Sequence, residues 1–222
     1  MTRKRPYQLL CPIARALDVV GDRWTLLILR DLHAGPARFQ QLQEGLGVAT
    51  NLLSTRLAEL TASELIHKID VDGHGAYALT DLGRHTDMLL WELSQFGGLL
   101  EPEADPRKPG NLRTIALPLR IVLSAVEDRP NLTVRLIIDD ETFTILSTPD
   151  HVVVEYGETA APTDLVVRTD YVGFLDLAEG RMSPDEFGAE HLEIIEGPEH
   201  LGAFADLMSA ARTANVNPLS TK

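Results

Sequence analysis

Between Glu101 and Gly110 the chain reads Glu-Pro-Glu-Ala-Asp-Pro-Arg-Lys-Pro-Gly, with three prolines, one glycine and no large apolar side chain. Each proline lacks an N–H and fixes its own φ, so the stretch can join neither a helix interior nor a central strand. It reads as an extended, semi-rigid linker. Cut there, the 222 residues give two domains of ordinary size. The expected division is residues 1–98, a linker over 99–111, and residues 112–222.

Charge supports the cut. Residues 1–97 carry 10 basic and 11 acidic side chains, whereas residues 98–222 carry 10 and 22 of the total net −13. The near-neutral half can present a basic face to phosphate; the acidic half repels it. No apolar run reaches the roughly 20 residues a membrane span needs. Arg3, Lys4 and Arg5 are followed by Cys11, Pro12 and Arg15 rather than by an apolar export segment. One cysteine excludes an internal disulfide and fits a reducing compartment. The expectation is a cytoplasmic protein with no membrane span.

In the first half, Ile13, Leu17, Val20, Trp24, Leu27 and Ile28 recur at three- and four-residue spacing, which predicts one helix over Ala14–Leu32. A short helix follows over Arg38–Leu46, ended by Gly45 and Gly47. Thr50 reads as the N-cap of a third helix to Leu60, with Leu53, Leu57 and Leu60 inward. Leu65–Val71 and Ala76–Leu79 read as strands joined by the turn Asp72-Gly-His-Gly75. Thr80 caps a last helix from Asp81 to about Phe96. Three helices, a hairpin and a fourth helix make a winged helix-turn-helix.

With its leucines inward, the third helix turns Asn51, Ser54, Thr55, Ala58 and Glu59 outward, with Arg56 at the flank. A recognition helix must offer such a face to the major groove. Asn51 can make the paired hydrogen bonds an adenine edge offers. Arg38, Thr50 and Arg56 suit phosphates, which position a protein without reading sequence. An ordinary helix with a solvated polar face is the alternative.

Cys11-Pro-Ile-Ala-Arg-Ala-Leu-Asp-Val-Val-Gly-Asp-Arg-Trp-Thr-Leu-Leu-Ile-Leu-Arg-Asp-Leu32 resembles the opening of HxlR-type winged-helix regulators. Gly35-Pro-Ala-Arg-Phe-Gln-Gln-Leu42, Asn51-Leu-Leu-Ser-Thr-Arg-Leu-Ala-Glu-Leu60 and Tyr77-Ala-Leu-Thr-Asp-Leu-Gly83 continue the resemblance over about residues 8–97. It implies a bacterial, nucleoid-associated homodimer, paired through terminal helices, on a two-fold-symmetric operator in double-stranded DNA. The wing departs from the family's basic pattern. Its tip is Asp70-Val-Asp-Gly-His-Gly-Ala76, with Lys68 the nearest firm positive charge and Arg84 a substitute just past the second strand. His74 would bind phosphate well only when protonated.

The second half predicts strands at 132–139, 142–146, 151–156, 164–169 and 191–196, with helices at 171–179, 183–189 and 198–211. Leu112–Val126 fits strand or helix, and helix is preferred. The whole is therefore α+β, a winged helix-turn-helix followed by a five-stranded sheet with helices. Thr163-Asp-Leu-Val-Val-Arg-Thr-Asp-Tyr-Val-Gly-Phe-Leu-Asp-Leu-Ala-Glu-Gly180, with Ser183-Pro-Asp-Glu-Phe187 and Leu192-Glu-Ile-Ile-Glu-Gly197, looks like a sterol carrier protein type 2-like domain. That resemblance implies an apolar tunnel for a lipid or acyl chain. Phe174, Leu177, Met182, Phe187, Ile194, Phe204 and Met208 either line it or simply fill a core.

Cys11, one turn before Arg15 at a helix start, is either a reactive thiol or a small residue in the dimer contact. No His/Cys/carboxylate spacing suits a metal, and no phosphate loop or nucleophile elbow is present, so no cofactor and no enzyme is expected. The reading is a dimeric DNA-binding transcription regulator, responsive to a hydrophobic small molecule held by the second domain. The alternative is a lipid carrier that uses the winged helix only to dimerise.

Overall fold

The computed structural model describes residues 7–100, 111–159 and 162–214. The chain divides into two compact units, Met1–Gln95 and Phe96–Lys222. The expected basic arm at Arg3, Lys4 and Arg5 and the linker prolines lie outside the described residues.

The first unit runs α1 (Pro12–Val20), α2 (Arg23–Leu32), α3 (Phe39–Leu46), α4 (Thr50–Ala62), β1 (Ile66–Val71), β2 (His74–Leu79) and α5 (Asp81–Arg84), and enters α6 (Asp87–Gly98). Ile28 and Leu29 of α2, Leu42 of α3, and Leu53, Leu57 and Leu60 of α4 form a fully buried cluster. Burying each such side chain contributes roughly 1.5–3 kcal/mol, which is why the leucine spacing of α4 fixes its inward face. The hairpin is tied back to the helices by reciprocal bonds between Ala37 and Tyr77, 3.0 and 2.9 Å long.

Four details differ from expectation. The helix expected over Ala14–Leu32 is two. The amide of Gly21 closes α1 on the Leu17 carbonyl at 2.9 Å, and Asp22 caps α2 by accepting from the Trp24 amide at 3.0 Å. A Cβ at position 21 would lie 2.3 Å from the Leu17 carbonyl oxygen, so glycine alone fits that close approach. Ile13 and Leu17, members of the apolar stripe that suggested one helix, are 69% and 45% exposed. The last helix also breaks, at His85–Thr86, where the buried Thr86 hydroxyl donates to the Gly83 carbonyl at 2.7 Å.

The other two are local. The N-cap of α4 is Ala49, not Thr50; the Thr50 hydroxyl instead accepts from Gln43 Nε2 at 2.8 Å, bracing α3 against α4. The wing turn is the two-residue Asp72-Gly73, since Val71 already pairs with His74. Their φ values of 53° and 76° are those of a type I′ turn, the connection that matches the twist of a hairpin.

The second unit opens with a 3-10 turn at Leu112–Ile115 and α7 (Ala116–Ser124), so the ambiguous stretch is helical. Strands β3 (Leu132–Ile138), β4 (Glu141–Ser147), β5 (Val152–Tyr156), β6 (Leu165–Thr169) and β7 (Glu193–Glu196) form one sheet in the order β5-β4-β3-β6-β7. Helices α8 (Tyr171–Ala178) and α9 (Pro184–Glu190) connect β6 to β7, and α10 (Leu201–Thr213) follows. The β3–β6 pair is parallel and the others antiparallel. Val134, Leu136 and Ile138 alternate as buried residues along central β3, Phe143 and Ile145 do so along β4, and α7 and α10 pack against this unit's strands. The fold is α+β, as the sequence implied.

Candidate nucleic-acid interface

The reading surface of the first unit is built by α3 and α4. Leu53, Leu57 and Leu60 are at most 2% exposed, which turns Asn51, Ser54 and Ala58 to solvent. Thr55, also expected outward, is half-buried, and its hydroxyl donates to the Asn51 carbonyl at 2.9 Å, so its donor is already used. The Gly47 turn between α3 and α4 has a left-handed φ of 61°, which sets the angle at which α4 leaves. Thr50 is exposed at the start of that helix, and Arg38 is exposed at the start of α3. The Arg38 amide donates to Gln41 Oε1 at 2.8 Å, part of the cap that starts α3.

Arg56 behaves differently from the phosphate contact its sequence position suggests. Its Nη2 donates to Asp22 Oδ2 at 3.0 Å and its Nη1 to Glu59. The side chain is only 16% exposed, and Nε is buried with no partner. This arginine orients α4 on the capped end of α2. The charge signal in the sequence did not distinguish an inward clasp from an outward hand.

In the wing, Lys68 is exposed and lies 5.6 Å from the Tyr77 ring centroid, a cation–π contact. His74 is exposed with Nδ1 2.8 Å from the Asp72 carbonyl. Asp70 accepts from the Gly73 amide at 2.8 Å and so builds the acidic tip rather than pairing with a cation. Arg84 is bound to Asp81 and donates to the Leu79 carbonyl at 3.1 Å, though most of its side chain stays exposed. The buried His33 joins the end of α2 to the α5–α6 break. The Thr86 hydroxyl donates to the Gly83 carbonyl at 2.7 Å, so towards His33 Nε2, 3.0 Å away, it is the acceptor.

A family model described as HxlR-like helix-turn-helix matches residues 19–104. The HTH-type transcriptional regulator YkvN of Bacillus subtilis is 32% identical over 92 residues, covering 40% of this chain and 78% of that one. The chain belongs to the HxlR-like helix-turn-helix family. Another relative, the HTH-type transcriptional regulator Rv3095 of Mycobacterium tuberculosis, is 40% identical over 102 residues and 43% of this chain. The chain spans 64% of the length of that relative. Among solved structures, quinone-bound YodB from B. subtilis aligns at 27% identity over 41% of this chain and all of that one, with a TM-score of 0.37. The UbiJ-SCP2 ubiquinone synthesis protein aligns at 17% identity over 45% of this chain and 78% of that one. Its TM-score is 0.31. The HxlR-like match stops at residue 104, just inside that unit.

The seven residues expected to line a tunnel there are divided. Leu177, Phe187 and Phe204 are buried, Phe174, Met182 and Met208 half-buried, and Ile194 is exposed on the edge strand β7. A cleft of about 370 Å³ opens elsewhere in this unit, bordered by Asp139, Arg168, Asp170, Glu190 and His191 and by none of the seven. Most of the residues around it are charged. Among the described residues no cluster of His, Cys, Asp or Glu could hold a metal, and no helix is long and apolar enough to cross a membrane. Cys11 is exposed at the start of α1, not buried within its own chain.

Proposed function

We propose that this chain is a homodimeric transcription regulator that reads a two-fold-symmetric DNA operator through α4. The observation that carries the reading is the division of α4 within an HxlR-like unit. Three leucines anchor one face while Asn51 and Ser54 stand free on the other, beside the exposed Arg38. Asn51 and Ser54 contact base edges; Arg38 and Thr50 contact phosphates. Arg56 positions the helix. Lys68 contributes positive charge at the wing, and Arg84 is partly neutralised by Asp81.

Dimer formation is supported by apolar side chains that the chain leaves uncovered. Ile13 and Leu17 on α1, and Leu89, Leu93 and Phe96 on α6, are all exposed. Surface of this kind on terminal helices suits a second copy, and places two α4 helices on half-sites about one DNA turn apart, roughly 34 Å. The division into a reader over residues 1–98 and a sensor over 112–222, a hydrophobic effector for the sensor, and a cytoplasmic location complete the proposal. The role is regulatory rather than catalytic.

Fluorescence anisotropy with the full chain and DNA from upstream of its own gene tests it. Saturable binding should survive an excess of scrambled duplex of equal length. Equal affinity for both duplexes would overturn the operator reading.

A further inference from the structure

Outside the reader, one histidine is held more firmly than a surface position requires. His191 joins α9 to β7, and its Nδ1 lies 2.6 Å from Asp170 Oδ2. Asp170 is also the N-cap of α8, where Oδ1 accepts from the Gly173 amide at 2.8 Å. The imidazole is pinned on two sides. Phe187 stacks near-parallel to it, with ring centroids 6.3 Å apart. On the α8 side, a Cβ at Gly173 would fall 2.4 Å from the imidazole Cγ, so only glycine lets the ring lie there.

What this histidine holds has little else to hold it. In the segment 183–196, Phe187 is the one buried side chain, and all four residues of β7 are exposed. The β6–β7 pairing is interrupted by a register shift at Val166/Val167. The Arg168–Glu193 pair, 2.8 Å apart, is about half exposed, where such pairs contribute little. Segments with few buried apolar contacts open locally at low free energy.

We propose that His191 is a pH-responsive clasp, closing the segment 183–196 onto α8 and the sheet edge when its imidazole is protonated and releasing it when the proton leaves. The charges around it favour the closed state. Asp170 and Asp176 come from the α8 side, Glu190 from α9, Asp139 from the β3–β4 turn, and Glu193 and Arg168 from β7 and β6. Arg168 and Arg181 offset Glu193 and Asp176, so the surroundings stay net acidic.

The hydrogen bond to Asp170, with the nearby carboxylates, holds the His191 pKa above its ordinary 6.5 against the opposing effect of burial. Burial pushes the Asp170 carboxyl up, but the Gly173 amide and His191 outweigh it and keep it below its ordinary value. A histidine whose folded pKa is raised gives its full contribution below about 6.5 and loses it as pH climbs through the folded value. Above that value neutral His191 can still donate Nδ1–H to Asp170, without the charge attraction.

Amide hydrogen exchange of the full chain at pH 6 and pH 8.5, corrected for intrinsic rates, tests the clasp. Protection of 183–196 should fall at the higher pH, by about tenfold for each unit the pKa is raised, while β3 and β4 hold theirs. In Asp170→Asn, which keeps a capping oxygen but not the charge, the pH dependence should flatten. Protection that ignores pH, falls equally in β3, or keeps its full pH dependence in Asp170→Asn overturns the proposal. Should Asp170→Asn not fold, an NMR titration of His191 in the native chain decides: a midpoint clearly above 6.5 supports the clasp and an ordinary midpoint refutes it.

Discussion

Arg56, in the middle of α4, donates to Asp22, the residue whose other carboxylate oxygen caps α2, so one side chain couples the start of one helix to the placement of another. The pair is mostly shielded from solvent, with 16% and 21% of the two side chains exposed. Arg56→Ala should therefore lower the melting temperature and weaken operator binding through a shifted α4. The salt slope should stay unchanged, because no phosphate contact is lost. A double-mutant cycle with Asp22→Asn should return a coupling of about 0.5–3 kcal/mol in denaturant unfolding. A slope that drops by one in Arg56→Ala would instead make this arginine a phosphate contact.

Arg38 gives the contrasting case. Its guanidinium is exposed at the start of α3, so Arg38→Ala should weaken binding to every sequence and reduce the salt slope by roughly one. Asn51→Ala should lower specific affinity by about 1–3 kcal/mol and leave non-specific binding nearly intact. Anisotropy titrations over a salt series measure both.

Leu57 is 1% exposed beneath that reading face. Truncating it leaves a cavity in the first unit, and Leu57→Ala should destabilise the unit by about 2–5 kcal/mol. Chemical denaturation followed by tryptophan fluorescence reports it, since Trp24 and Trp91 both belong to this unit.

The acidic wing tip should repel DNA. Asp72→Asn removes one negative charge and keeps the turn, because Asn-Gly is a preferred type I′ pair. Non-specific affinity should rise at low salt and the gain should vanish at high salt, where exposed charges are screened. An unchanged low-salt affinity would mean that the wing stays clear of the duplex.

Ile13 is more than two-thirds exposed on α1, so Ile13→Glu should leave the isolated fold intact while weakening self-association. Sedimentation at micromolar concentration should find a dimer in the native chain and a larger monomer fraction in the variant. A monomeric native chain removes the basis for a two-fold operator.

Much of this architecture was legible because burial is periodic. Leu53, Leu57 and Leu60 predicted the inward face of α4, and five apolar runs predicted the five strands, because each pattern matches the repeat of its element. Interruptions were not legible. The stripe from Ile13 to Ile28 keeps helical spacing across Gly21-Asp22, so nothing in its period marks the break, and only the capping chemistry of Asp22 could have done so. Partner choice was hidden as well. Arg56 and Arg38 look alike as sequence positions, yet one finds Asp22 thirty-four residues away and the other meets solvent. His191–Asp170 escaped for the same reason, since twenty-one residues separate its members.

The parallel pairing of β3 with β6 has a consequence for how the protein is made. Val134 must wait for Leu165, thirty-one residues further along, before one side of the central strand is satisfied. At a synthesis rate of about 5–20 residues per second, that leaves an apolar strand with an open edge for roughly 2–6 s on the ribosome. The first unit meets no such delay, because its hairpin partners are separated by a two-residue turn. Nascent chains stalled between Ile138 and Leu165 should thus be the species most prone to bind a chaperone or pair with a neighbouring chain, even though the finished sheet encloses that strand.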